Sequence, residues 1–173
     1  MWYVIQVKNG QENLTCQLIQ TIITDDTLIE CFFPQRERMR KIDGKWNVIK
    51  EKLFPGYVFI VTDNPEKVFL KLKNVPKLTK LLGDNEGSFI PLKEKEVYFI
   101  QRWGGKDHVA NISKVMVEKG NKVRILEGNL KDYEGEIIKV NLHKRIAVVR
   151  TTFMGSTTDV HMGIEILQKE EQS

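Results

Sequence analysis

Residues 2–7 (WYVIQV) are β-branched and aromatic, a run that predicts a strand. Asn9-Gly10-Gln11-Glu12 follows, a capping residue three positions ahead of a Glu. Leu14, Leu18 and Ile22 then recur every fourth residue with Ile19 beside them, predicting a helix from about Gly10 to Ile23. A short apolar run at 29–33 stops at Pro34. The basic stretch beyond it is broken by Asp43-Gly44, a favoured two-residue turn, which predicts a hairpin over 37–50 with its charges outward. Residues 57–61 (YVFIV), entered through Phe54-Pro55-Gly56, are too apolar for an edge and predict a central strand. Alternation puts Tyr57 and Phe59 on one face of it, Val58 and Ile60 on the other. Asn64-Pro65-Glu66 opens a second helix with Val68 and Leu72 inward, and Val75-Pro76 stops it. Short strands at 78–82 and 88–90 flank a polar loop, and Val97, Ile100 and Trp103 predict a third helix over 93–103.

The texture changes after Gly104-Gly105. Residues 106–119 lack sustained periodicity and read as a linker; from Asn121 onward short β runs at 121–126, 134–141, 144–150, 157–162 and 164–167 alternate with Gly and Asn. Five short strands in about fifty residues predict a small barrel. The fold class is therefore α+β: an N-terminal domain of residues 1–105, an antiparallel sheet with flanking helices, then a linker at 106–119 and a small β-barrel at 120–173.

The composition, 41% hydrophobic and 29% charged over 173 residues, is that of an ordinary globular protein. The sequence carries no apolar stretch long enough for a membrane span and no secretory signal, and its two cysteines, Cys16 and Cys31, make no disulfide framework; a reducing, cytoplasmic setting is expected. The net charge of +4 is concentrated N-terminally, with 16 basic against 13 acidic residues in 1–105 and 8 against 8 in 120–173. His108, His143 and His161 are scattered, neither cysteine belongs to a C-x-x-C, and no Walker, G-x-G-x-x-G or G-x-S-x-G motif occurs. The expectation is a non-enzymatic protein with no catalytic residues, cofactor or metal, and both cysteines serve packing.

Trp2-Tyr3-Val4-Ile5-Gln6-Val7 with Gly10 and Glu12, Phe54-Pro55-Gly56-Tyr57-Val58, and Val75-Pro76 together resemble the NusG N-terminal (NGN) domain. Lys119-Gly120, Val123-Arg124-Ile125, Gly128, Tyr133-Glu134-Gly135 and Ile137 look like the KOW motif of the SH3-like barrel that completes that family. The resemblance covers essentially the whole chain. It implies a transcription elongation factor whose N-terminal domain grips the clamp helices of RNA polymerase while the KOW domain recruits a partner. The family's Phe-Gly-Arg-x-Thr-Pro loop, which serves the Rho terminator or a ribosomal protein, corresponds here to Phe153-Met154-Gly155-Ser156-Thr157-Thr158-Asp159-Val160, with an extra residue between Phe and Gly, Ser156 in place of the Arg and Asp159 in place of the Pro. This departure resembles a specialised paralog of the LoaP type, a processive antiterminator assisted by an RNA hairpin. Two alternatives stay open: a housekeeping NusG-like factor coupling polymerase to protein partners, and a KOW RNA-binding or ribosome-associated module. A subclass of the family refolds its C-terminal domain into helices; β-branched Ile137-Ile138, Val140, Ile146 and Val148-Val149 favour a constitutive barrel.

Under this resemblance the clamp helices would dock on an exposed apolar pocket of Phe54, Pro55, Tyr57 and Phe59. Arg36, Arg38 and Arg40 alternate, so on an extended segment they share a face and can meet successive phosphates; Lys73 and Lys77, with Asn74 and Lys80, form a second basic edge for upstream DNA. In the barrel Lys122, Arg124, Lys139, His143, Lys144, Arg145 and Arg150 are the candidates for the backbone of an RNA hairpin. The same residues on a solvated surface, or packed in strand cores, would carry no function. The expected assembly is a monomer with RNA polymerase and a nascent-leader RNA hairpin as partners.

Overall fold

The computed structural model describes residues 1–73 and 89–171. Cα proximity divides the chain into two compact units that do not follow sequence order: residues 1–34 with 54–98, and residues 35–53 with 99–173. The predicted strands at 78–82 and 88–90, the helix stop at Val75-Pro76, and Asn74, Lys77 and Lys80 lie wholly or mostly outside the described residues.

In the first unit β1 (Trp2–Gln6), β2 (Glu30–Phe32), β5 (Tyr57–Val61) and β6 (Ile90–Pro91) form a sheet of order β2-β5-β1-β6, with β5 internal as expected. Its neighbours pair antiparallel, Val4 opposite Phe59 and Ile5 opposite Val58. Ile5 and Val7 from the first strand region, with Cys31, Val58 and Ile60, pack against Cys16, Ile19 and Ile23 of the α1 (Glu12–Ile22) region and Val68 and Leu72 of α2 (Pro65–Lys73). The apolar face of α1 is rotated from the expected stripe. Ile19 is fully buried, Leu18 and Ile22 only partly, and Leu14 is 51% exposed. Thr15 and Cys16 take the buried positions instead, so Cys16 belongs to the core stripe. Helix α2 starts as predicted: Asn64 Oδ1 accepts the Lys67 N–H at 3.2 Å.

In the second unit β3 (Gln35–Ile42) and β4 (Lys45–Lys52) form the predicted hairpin, pairing Arg36 with Glu51 and Lys41 with Trp46. Its turn is of the mirror-image type that suits strand twist, because Asp43 and Gly44 both have positive φ, 50° and 77°. Helix α3 (Glu94–Gly104) spans the boundary between the units. The expected linker is not one: Val109–Ala110 (β7) pairs parallel to β3, and Ser113–Val117 (β8) is a barrel strand between neighbours. Alternation of buried Ser113, Val115 and Val117 with the half-buried Lys114 and Met116 is the period-two pattern of such a strand.

Strands β8, β9 (Val123–Glu127), β10 (Ile137–Asn141), β11 (Ile146–Phe153) and β12 (Ser156–Lys169) order as β10-β11-β12-β8-β9. The two runs expected at 157–162 and 164–167 are one long strand, β12. Its first half pairs with β11 and its second with β8. The outermost strands β9 and β10 line a groove of about 550 Å³ with Val123, Ile125, Ile137, Ile138 and Val140. The β3 backbone packs directly on β12: a Cβ at Gly163 would lie 2.3 Å from the Glu37 carbonyl oxygen.

Candidate nucleic-acid interface and aromatic sheet face

In the first unit the sheet face opposite α1 and α2 is aromatic. Trp2 meets Phe32 edge-on at 5.3 Å, Phe32 stacks on Phe59 at 5.5 Å, and Phe54 lies 6.1 Å from Phe59. The turn leading into β5 is held by Glu12. This carboxylate is fully buried, and its Oε1 accepts the Gly56 N–H at 2.7 Å, while the Gly56 carbonyl accepts Val7 N–H at 2.8 Å. Gly56 has φ +84°, the left-handed region that glycine adopts most cheaply. Glu12 is therefore not the capping-box partner its spacing suggested; no side chain caps α1. The expected exposed pocket is also corrected. Pro55 is exposed and Tyr57 half-buried, but Phe54 is only 6% exposed and Phe59 not at all. A strand central to a sheet has both faces available for packing, which is why Phe59 joins an aromatic cluster instead of standing in solvent.

The hairpin arginines separate into two kinds. Arg36 and Arg38 do share a face, yet both reach Glu51, at 3.1 and 3.2 Å. Burial raises the Glu51 carboxyl, but the Arg36 hydrogen bond and the charges of Arg38 and Arg36 outweigh it and leave its pKa below the ordinary value. These two guanidiniums are thus partly neutralised and half-buried; Arg40 remains exposed, as does Lys73 at the end of α2. His161 on β12 senses the same pair. Burial first, then the Arg36, Arg38 and Lys144 charges, lower its pKa below 6.5 against an opposing pull from Asp159.

The barrel cations divide likewise. Arg150 makes a two-point pair with Asp159 at 2.9 and 3.1 Å across the β11–β12 hairpin, whose turn is the tight Met154-Gly155, φ 53° and 77°. That pair raises the Arg150 pKa and lowers that of Asp159. Arg124 faces Glu118 at 3.3 Å. Lys122, Lys139, His143 and Lys144 are exposed. Lys139 borders the groove between β9 and β10, and Arg145, held at φ +56° in the β10–β11 turn, donates to the Leu142 carbonyl. Its guanidinium lies over the Trp46 ring, 4.9 Å from the centroid. The tip of the 35–52 hairpin and the 142–145 turn are therefore adjacent. Among the described residues no carboxylate forms an ion pair with Arg40, Lys41, Lys45, Lys144 or Arg145. Lys41 belongs to the basic run of 36–52, but Trp46 was not expected in the site, although a hairpin closed at Asp43-Gly44 already sets the two opposite each other.

Among the described residues no cluster of His, Cys, Asp and Glu could hold a metal, and no helix is long and apolar enough to cross a membrane. Both cysteines are buried and free; the neighbouring Cys16 thiol and burial push the Cys31 thiol upward, away from reactivity.

One unit with helices and an aromatic sheet face, and a second unit of β-strands with a cationic surface, define a two-unit α+β protein. Residues 1–101 match the family model described as transcription termination factor nusG, and the chain belongs to the NusG family. It is 26% identical over 176 residues to the transcription termination/antitermination protein NusG of Buchnera aphidicola, covering 97% of this chain and 95% of that one. With its counterpart in Staphylococcus carnosus it shares 27% identity over 175 residues, 97% and 94% covered. The fold is similar to that in a structure titled "Domain interaction in Thermotoga maritima NusG", with a TM-score of 0.55, 23% identity and 94% and 92% coverage. The chain is thus a NusG-like transcription termination/antitermination factor; the family is one of transcription factors and not of enzymes.

Proposed function

We propose that this chain is a specialised, cytoplasmic antitermination factor of the LoaP type, acting as a monomer. Its first unit holds the RNA polymerase clamp helices through the accessible Pro55 and Tyr57 beside its buried aromatic cluster, and its second unit holds a hairpin in the nascent leader RNA. The observation that carries the RNA reading is the meeting of two sequence-distant turns: Trp46, opposite the exposed Lys41 in the 35–52 hairpin, lies under the Arg145 guanidinium of the turn that also carries the exposed Lys144, and none of these three cations has a carboxylate partner among the described residues. Fixed cations on one surface suit the phosphates of a structured RNA, and pairing to Glu51 and Asp159 leaves Arg36, Arg38 and Arg150 a lesser share. The altered 153–159 segment, closed by a tight two-residue turn, argues against the Rho and ribosomal-protein partnerships of housekeeping members.

The test is binding of the full chain to structured leader RNAs from transcripts whose readthrough depends on it, over a salt series, with scrambled controls. Hairpin-selective binding that weakens with salt and is lost in Lys144→Ala with Arg145→Ala supports the proposal; absence of RNA binding returns the chain to a factor whose barrel recruits protein. Polymerase association is tested with Tyr57→Ala. Phe59→Ala would remove a fully buried ring and cost roughly 3–5 kcal/mol of stability, which confounds the readout.

A further inference from the structure

We propose that Trp46 is a stacking platform for an unpaired base of the RNA, so that the second unit reads a single-stranded loop position as well as duplex phosphates. The inference rests on the RNA-binding reading above. Trp46 sits at the first pair after the hairpin turn, opposite Lys41, and keeps 38% of its surface exposed although its strand neighbours offer a half-buried site at Ile49. More than a third of a large aromatic residue at the tip of a cationic hairpin thus stays open to solvent. Its one described ring contact is the Arg145 guanidinium, 4.9 Å from the centroid.

That contact has two consequences. It fixes the indole against a rigid turn, since Arg145 itself is held by a hydrogen bond to the Leu142 carbonyl and by the Lys144 N–H to Asn141 Oδ1 bond of the same turn. It also sets a guanidinium plane beside an indole that keeps 38% of its surface exposed, and aromatic and guanidinium planes together are what hold splayed nucleotides. Lys41, opposite Trp46 in the hairpin register, and Lys144, next to Arg145 in its turn, are exposed and supply cations for the phosphates flanking a stacked base. A duplex cannot use the platform, because its bases are already stacked on one another. An unpaired base can.

The experiment compares the full chain with its Trp46→Ala, Trp46→Phe and Lys144→Gln variants on three probes: an RNA stem-loop with 2-aminopurine in the loop, a blunt duplex of the same stem, and single-stranded DNA of the loop sequence. Circular dichroism checks that each variant is folded. The expected result is loop-RNA affinity falling about tenfold in Trp46→Ala with the salt slope unchanged, partial recovery in Trp46→Phe, and 2-aminopurine fluorescence that responds to the parent but not to Trp46→Ala. Lys144→Gln should instead flatten the salt slope. Equal affinity of parent and Trp46→Ala for the stem-loop, or equal affinity of the parent for stem-loop and blunt duplex, overturns the platform and leaves the RNA-binding reading standing. Preference for the DNA strand overturns the assignment to RNA. No binding to any probe removes the RNA reading itself, and the platform with it.

Discussion

Gly163 is the point at which β12 and β3 touch. A Cβ there would stand 2.3 Å from the Glu37 carbonyl oxygen, 3.0 Å from Arg38 Cα and 3.1 Å from the Glu37 carbonyl carbon, all backbone atoms that cannot turn away. Ordinary contact begins near 3.4 Å, so Gly163→Ala requires the two strands to separate by about 1 Å. Gly163 has no positive φ, so the penalty is steric alone. It falls on a well-fixed place: Glu37 Oε2 also accepts the Ile112 N–H at 3.2 Å, and Gly163 is paired in register with buried Ile146. Overpacking of this kind costs roughly 1–3 kcal/mol. The assay is urea unfolding of the full chain, followed by fluorescence and circular dichroism, with Gly155→Ala as the contrast. Gly155 has φ +77° but nothing within 4 Å of its would-be Cβ, so its variant pays backbone strain without a clash. Gly163→Ala should lower the midpoint and also change the native tryptophan fluorescence, to which Trp46 contributes beside Trp2 and Trp103, since the hairpin that carries Trp46 must shift. An unchanged midpoint and Trp signal for Gly163→Ala would refute the close approach of β3 to β12.

Three further outcomes follow from the same geometry. Because the His161 pKa is lowered in the fold, the unfolded chain binds its proton first; the His161 contribution to stability should be present well above pH 6.5 and be lost as pH falls through that value, a small effect at this exposed position that His161→Gln should remove in a pH series of urea midpoints. Glu12→Ala removes the acceptor of the Gly56 N–H and should cost ~1.5–3 kcal/mol in the same unfolding assay; an unaltered midpoint would show that the turn into β5 holds itself. Ile19→Ala should cost ~2–5 kcal/mol while Leu14→Ala stays within about 0.5 kcal/mol, and equal losses would restore the Leu14–Leu18–Ile22 stripe as the buried face.

The elements that sequence reads well are those whose signal is local. The 57–61 strand, the Asn64-capped helix and the Asp43-Gly44 hairpin are each fixed by a few adjacent residues, and each stands where expected. Errors arise where the determinant lies elsewhere in the chain. Ser113–Val117 looked like linker because only five residues alternate, and it becomes a strand by pairing with β12, some fifty positions later. Glu12 carries a helix-start spacing, but Gly56 claims its carboxylate from 44 residues away. The face of α1 turned because Thr15 can be buried once its hydroxyl donates to the Gln11 carbonyl at 2.7 Å, which a count of apolar residues does not register.

Charge shows the same division more sharply, and it bears on function. A hairpin closed at Asp43-Gly44 already dictates that Arg36 faces Glu51 and that Lys41 faces Trp46, so the neutralisation of one basic pair and the aromatic companion of another cation were latent in the turn. The Met154-Gly155 turn dictates the Arg150–Asp159 pair in the same way. Register therefore subtracts from a basic run before any partner is considered, and the cations that survive subtraction are better candidates than the densest stretch. What register cannot supply is the meeting of Trp46 with Arg145, because no local rule joins residues 99 positions apart in different hairpins. That contact depends on β3 lying against β12 at a glycine. The position that admits the strand and the position that displays the indole are thus linked, and Gly163→Ala should weaken the Trp46–Arg145 contact as well as the strand packing.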